Sequence, residues 1–84
     1  VSEGRVLQMA ERTVAEAERT AYLASLAARR RAHVAAGVQF WVFEHEAVRG
    51  RFVEFAEARD AAHLDRVAEP VATSAARWRS VEVG

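Results

Sequence analysis

Residues 38–57 read as a β-hairpin with large apolar side chains on both faces, and this limits the chain's folding options more than any other feature. Residues 38–45, VQFWVFEH, are aromatic and β-branched, the composition of a strand. Glu46 to Gly50 makes a short turn, and residues 51–57, RFVEFAE, return as a second strand. Side chains alternate across a strand. Val38, Phe40 and Val42 therefore share one face, with Trp41 and Phe43 on the other; in the return strand Phe52 and Ala56 oppose Val53 and Phe55. A sheet packed on one side only should alternate apolar with polar. This hairpin does not, so both of its faces need cover.

The flanking segments supply one layer of that cover. From Ala15 to Ala36 alanine, glutamate and arginine dominate without proline or glycine, which predicts a helix. Gly37 is its natural stop, and Arg29, Arg30 and Arg31 lie near the negative end of its dipole. Asp60 suits the N-cap of a second helix running through Ala68. Pro70 does not fit inside that helix but suits the start of a new one, so a break is expected at Glu69 and a helical piece over 70–77. Residues 79–83, RSVEV, alternate and read as a last strand. Residues 5–13 fit strand or helix by periodicity alone. A first helix needs a strand to cross from, and that topological argument makes them a strand. The expected fold is α+β in the order β-α-β-β-α-β, the ferredoxin-like arrangement, with a four-stranded antiparallel sheet covered by helices on one face.

A chain of 84 residues has room for one domain, 1–84. A domain this small buries only about 60% of its unfolded surface and is marginal alone. Cysteine is absent, so disulfides cannot staple it, and the three histidines lack zinc-site spacing. A second copy covering the open sheet face is the remaining source of stability, and a homodimer is the expected state. Twelve basic and twelve acidic residues cancel, which argues against a general nucleic-acid binder. All twelve basic residues are arginine, which fits compositional bias from a GC-rich coding sequence. No run of about 18 apolar residues or signal peptide is visible, so no membrane span is expected and a cytoplasmic location fits. The chain starts at Val1, which leaves room for a larger parent protein.

The steps Gly37-Val-Gln-Phe-Trp41, Gly50-Arg-Phe-Val-Glu54 and Asp60-Ala-Ala-His63-Leu64 resemble the antibiotic-biosynthesis-monooxygenase type of dimeric α+β barrel. The hairpin and its approach through Arg29-Arg30-Arg31 also look like the soluble tail of some major-facilitator-type exporters. The first resemblance implies a barrel made from two sheets and, for some members, cofactor-free oxygenation of aromatic or polyketide-like substrates. It also implies a functional helix histidine, here His63. The sequence departs from the pattern at Ala56, where many members place a cavity-wall tryptophan two residues after the strand glutamate. A haem-handling reaction is the reading this departure weakens most.

Five residues are candidates for a site. His63, early in the second helix, could accept a proton as a neutral imidazole or could be a structural helix histidine. Glu54 sits in an apolar strand; desolvation would raise its pKa and make it an acid or base, whereas pairing with an arginine would make it structural. Which aromatics share its face depends on register, because a slip of one residue exchanges Trp41 and Phe43 for Phe40 and Val42. On a helical projection Tyr22, Leu23, Leu26, Ala27, His33 and Val34 share an arc with Arg30 in its middle. Arg30 is expected to snorkel, with pairing to Glu54 or to an acidic ligand as alternatives. Tyr22 and His33 would form the polar rim of that arc, Trp41 would be core or a binding platform, and Trp78 would pack at the dimer edge. His45 and Glu46 read as a solvated turn, and no metal or other cofactor is expected.

Two functions compete. The catalytic or ligand-binding reading uses His63 and Glu54 on an aromatic molecule held by Trp41, Tyr22 and Arg30, in a closed apolar pocket beside His63. The alternative is a non-catalytic dimerisation or regulatory module with a filled interior.

Overall fold

The computed structural model describes residues 5–67, 76–81 and 83. The elements in chain order are β1 (Val6–Thr13), a 3-10 turn (Glu16–Glu18), α1 (Arg19–Ala35), β2 (Gln39–Glu44), β3 (Arg51–Ala58), α2 (Ala61–Asp65) and β4 (Ala76–Arg79). The four strands form one antiparallel sheet in the order β2-β3-β1-β4. β1 and β2 are parallel with β3 between them, and β3 and β4 are parallel with β1 between them. Among the described residues no helix is long and apolar enough to cross a membrane.

The end of α1 follows from Gly37. Its φ of +80° lets the chain reverse, with the Gly37 amide donating to the Val34 carbonyl and the Val38 amide to the His33 carbonyl. This double closure ends the helix and delivers Val38 into the core at 1% exposure. Asp60 caps α2 as expected, its carboxylate accepting from the His63 amide at 2.8 Å.

Register decides the faces. Val42 lies opposite Glu54 and Trp41 opposite Phe55. Phe40, Val42, Phe52, Glu54, Ala56 and Ala58 therefore point toward the helices. There Val38, Phe40, Ala56, Ala58 and Leu64 form the buried core, flanked by Val6, Leu26, Ala36, Val42 and Val67. The opposite face collects Leu7, Met9, Trp41, Phe43, Val53, Phe55 and Trp78, and no helix covers it among the described residues.

The hairpin strands and β1 match expectation to within a residue at each end, and three other elements differ by more. The first helix begins as a 3-10 turn and becomes α-helical only at Arg19. The second helix is shorter, turning at Arg66 and Val67, while Ala68 and the break at Glu69 lie outside the described residues. The last strand is β4 at Ala76–Arg79 rather than 79–83, so Ala76 and Arg77 belong to a strand and not to the expected helical piece. Pairing with β1 explains the shift: Met9 faces Ala76 and Leu7 faces Trp78, a pairing that puts Trp78 on the open apolar face. Residues 70–75 of that piece are outside the described residues.

Candidate functional site

The most concentrated chemistry lies between α1 and the sheet. Glu54, only 4% exposed, is surrounded by three polar partners from two other elements. Tyr22 Oη donates to its Oε2 at 2.5 Å, and Arg29 grips both oxygens, Nη1 to Oε2 at 3.0 Å and Nη2 to Oε1 at 2.8 Å. Arg12 Nε from β1 stands 2.8 Å from Oε2. That last pair is Coulombic: the distance is short, but Nε makes no aligned hydrogen bond.

Helix spacing explains why these groups meet. Tyr22, Leu26, Arg29 and His33 recur at intervals of four, three and four, which keeps them on one face of α1. Phe52 packs on Tyr22 at 4.7 Å between ring centroids, and Phe40 stacks on His33 at 4.5 Å. The Arg29 guanidinium lies 5.2 Å above the Phe40 ring. Buried His33 donates through Nδ1 to the Arg29 carbonyl at 2.7 Å, a bond that fixes its tautomer.

Electrostatics set the protonation states. Burial of Glu54 disfavours its charge, but Arg29, Tyr22 and Arg12 together outweigh that and hold its pKa down at about 2. Burial and the bond to Glu54 push the Tyr22 phenol above its ordinary value, so it stays a donor. The desolvation expected at Glu54 is present and is beaten by its partners. A carboxylate of this kind is permanently charged near neutrality, a poor proton donor and a weak base. A second such unit closes the hairpin end, where Arg19 binds Glu44 at 2.6 and 2.8 Å and the Gly50 amide adds a bond at 2.9 Å. Arg19 first, then Gly50, lower the Glu44 pKa to about 2.

The remaining candidates lie elsewhere. The neighbours of His63 are Asp60, 3.1 Å from its Nδ1, Arg59, whose Nε approaches the same nitrogen at 3.3 Å, and Gly37. None of these partners is shared with Glu54. Nδ1 can donate to Asp60 or accept from Arg59, but one tautomer cannot do both. The Asp60 pKa is lowered by the His63 amide first and its ring second. Trp41 is on the open face, 42% exposed, on the opposite side of the sheet from Glu54. Arg30 is exposed on the flank of α1, and its neighbour Arg29 takes the place beside Glu54. Ala56, where the resemblance expects a tryptophan, is buried in the core beneath the helices.

Among the described residues, two grooves are open to solvent. One, of about 360 Å³ on the open face, is lined by Met9, Phe43, Val53 and Phe55 with Glu11, Glu44, His45 and Arg51 at its margin. The other, of about 400 Å³, runs along β2 between Leu26, Ala27, Arg30 and residues 40–43. Neither is lined by His63 or Glu54. No group of His, Asp and Glu among the described residues is arranged to hold a metal ion.

The chain matches no protein-family model, no curated protein and no solved structure.

Sequence reasoning placed Tyr22 and Glu54 among the candidates, and the structure joins them. It did not single out Arg12 or Arg29. The signal for Arg29 was the four-three-four spacing from Tyr22 to His33; a wider arc admits Leu23 and Val34, which are 42% and 59% exposed.

Proposed function

We propose that this chain is a self-associating domain, one half of a dimeric α+β barrel in which the open faces of two ferredoxin-like sheets pack together. The observation that carries the reading is the continuous apolar face of Leu7, Met9, Trp41, Phe43, Val53, Phe55 and Trp78. Trp78 and Phe43 are each 56% exposed there, a poor use of large rings in a monomer. Counted from the other edge, the strand order is β4-β1-β3-β2, with each parallel pair split by a third strand, which supports the ferredoxin-like assignment.

Charge supports a second copy as the cover. The margins of the face carry the neutral pairs Arg5–Glu57 at 2.7 Å and Arg51–Glu11 at 3.2 Å, so the surface does not repel itself.

The non-catalytic form of this reading is preferred. A cofactor-independent monooxygenase would need His63 and Glu54 at one cavity, but their partners differ and Glu54 is locked as an ion. Binding of an aromatic ligand would use the groove at Phe43 and Phe55, on the face reserved for the partner.

Light scattering tests the proposal. The expected mass at micromolar concentration is twice 9.3 kDa, falling to that of one chain in Phe55→Glu with its circular dichroism preserved. A wild-type chain that stays monomeric through this range would overturn it.

A further inference from the structure

β2 is an outer strand of the sheet, and its far side pairs with no described residue. The His45 amide donates to the Arg51 carbonyl at 2.7 Å, which makes 45 and 51 a hydrogen-bonded pair. Alternation along the antiparallel ladder then turns the N–H and C=O of Phe40, Val42 and Glu44 outward. Natural edge strands are usually blunted by a charge, a proline or a bulge. Between Gln39 and Glu44 this edge has none of these: residues 40–43 are Phe-Trp-Val-Phe, and their register with β3 is unbroken.

Beside that edge runs the groove of about 400 Å³ lined by Leu26, Ala27, Arg30 and Phe40–Phe43. Among the described residues Arg30 is the groove's only charged residue, and it makes no ion pair with any of them. The helix it belongs to contains four arginines and no acidic side chain, and Glu44 and Glu54 neutralise only Arg19 and Arg29. The edge therefore offers backbone hydrogen bonds, apolar contact and one unpaired cation.

We propose that the β2 edge takes an extended acidic peptide segment as a fifth strand. Its outward carbonyls and amides would pair with Phe40, Val42 and Glu44, which is the β-augmentation mode of peptide recognition. Side chains of alternate parity go to opposite faces. An acidic residue on the helix side reaches Arg30, and apolar neighbours on the other side lie against Trp41 and Phe43. A second copy fits this edge less well than an acidic partner. Joining two β2 edges about a two-fold axis puts both α1 helices on one side of the junction and brings their unpaired Arg30 flanks together. The edge borders the open sheet face and shares the side chains of Trp41 and Phe43 with it, but the outward backbone groups of Phe40, Val42 and Glu44 and the Arg30 side chain lie outside that face, and it is these that the test reads.

The test uses the full chain and a blocked peptide, Thr-Val-Glu-Val-Thr, against the same peptide with lysine in place of glutamate. Saturating glutamate peptide should slow amide exchange at Phe40, Val42 and Glu44. The lysine peptide should bind about tenfold more weakly, and Arg30→Ala should remove that difference. Equal binding of the two peptides by the wild-type chain, or free exchange of the three amides at saturation, would overturn the proposal. Protection of those amides that grows with protein concentration, without peptide, would overturn it in favour of a second copy.

Discussion

Glu54 shows how a buried charge is tolerated in a domain this small. Its carboxylate is buried against two hydrogen-bonding residues and a further cation, so its folded pKa of about 2 lies below the roughly 4.3 of an unfolded glutamate. A depressed carboxylate contributes stability that is fully present above its unfolded pKa and lost as pH falls through its folded one. Acid titration should therefore remove about 3 kcal/mol between roughly pH 4.5 and pH 2. Circular dichroism against pH should show that loss, and a chain equally stable at pH 2 and pH 6 would contradict it. Arg29 and Arg30 are neighbours with opposite roles. Arg29→Ala leaves Glu54 short of its bidentate partner and should cost about 3 kcal/mol in urea unfolding. Arg30→Ala should change stability by less than about 0.5 kcal/mol. Equal effects would mean that the inward face of α1 has been misassigned.

At the scale of elements, the hairpin depends on its turn. Gly50 has a φ of +89°, and a Cβ there would come within 2.6 Å of the Val14 carbonyl oxygen. The same residue is tied down on both sides, its carbonyl accepting from the Val14 amide at 2.8 Å and its amide donating to Glu44. Gly50→Ala thus meets a strained backbone and a rigid backbone neighbour together. It should lower stability by more than about 1 kcal/mol, whereas an unstrained glycine-to-alanine change gains a few tenths. Thermal melts of the two proteins check this, and an unchanged or raised midpoint would show that the turn relaxes freely.

For the whole molecule, one layer of helix over one sheet leaves a small core of Val38, Phe40, Ala56, Ala58 and Leu64. Alanine at two of these five positions limits how much apolar surface the fold removes from water. Burying the open face against a second copy would add the rings of Trp41, Phe43 and Trp78 to the protected surface. Folding linked to association makes stability depend on protein concentration. The midpoint of thermal unfolding should rise by several degrees for each hundredfold increase in concentration. A midpoint independent of concentration would indicate that the chain is stable as a monomer.

Features set by local chemistry and strict alternation are legible in the amino-acid order. Gly37 as the helix stop, Asp60 as a cap and the two-faced pattern of 38–57 follow from backbone conformation and the period of a strand. Tertiary structure decided what depends on rotation and register. A rotation of about 100° about the axis of α1 exchanges Arg29 for Arg30 as the partner of Glu54, and both choices look alike in a run of three arginines. One residue of slip in the hairpin would have put Trp41 beside Glu54 instead of on the open face. β4 lies at 76–79 because Ala76 and Trp78 meet Met9 and Leu7 across the ladder, a long-range pairing that no local pattern specifies.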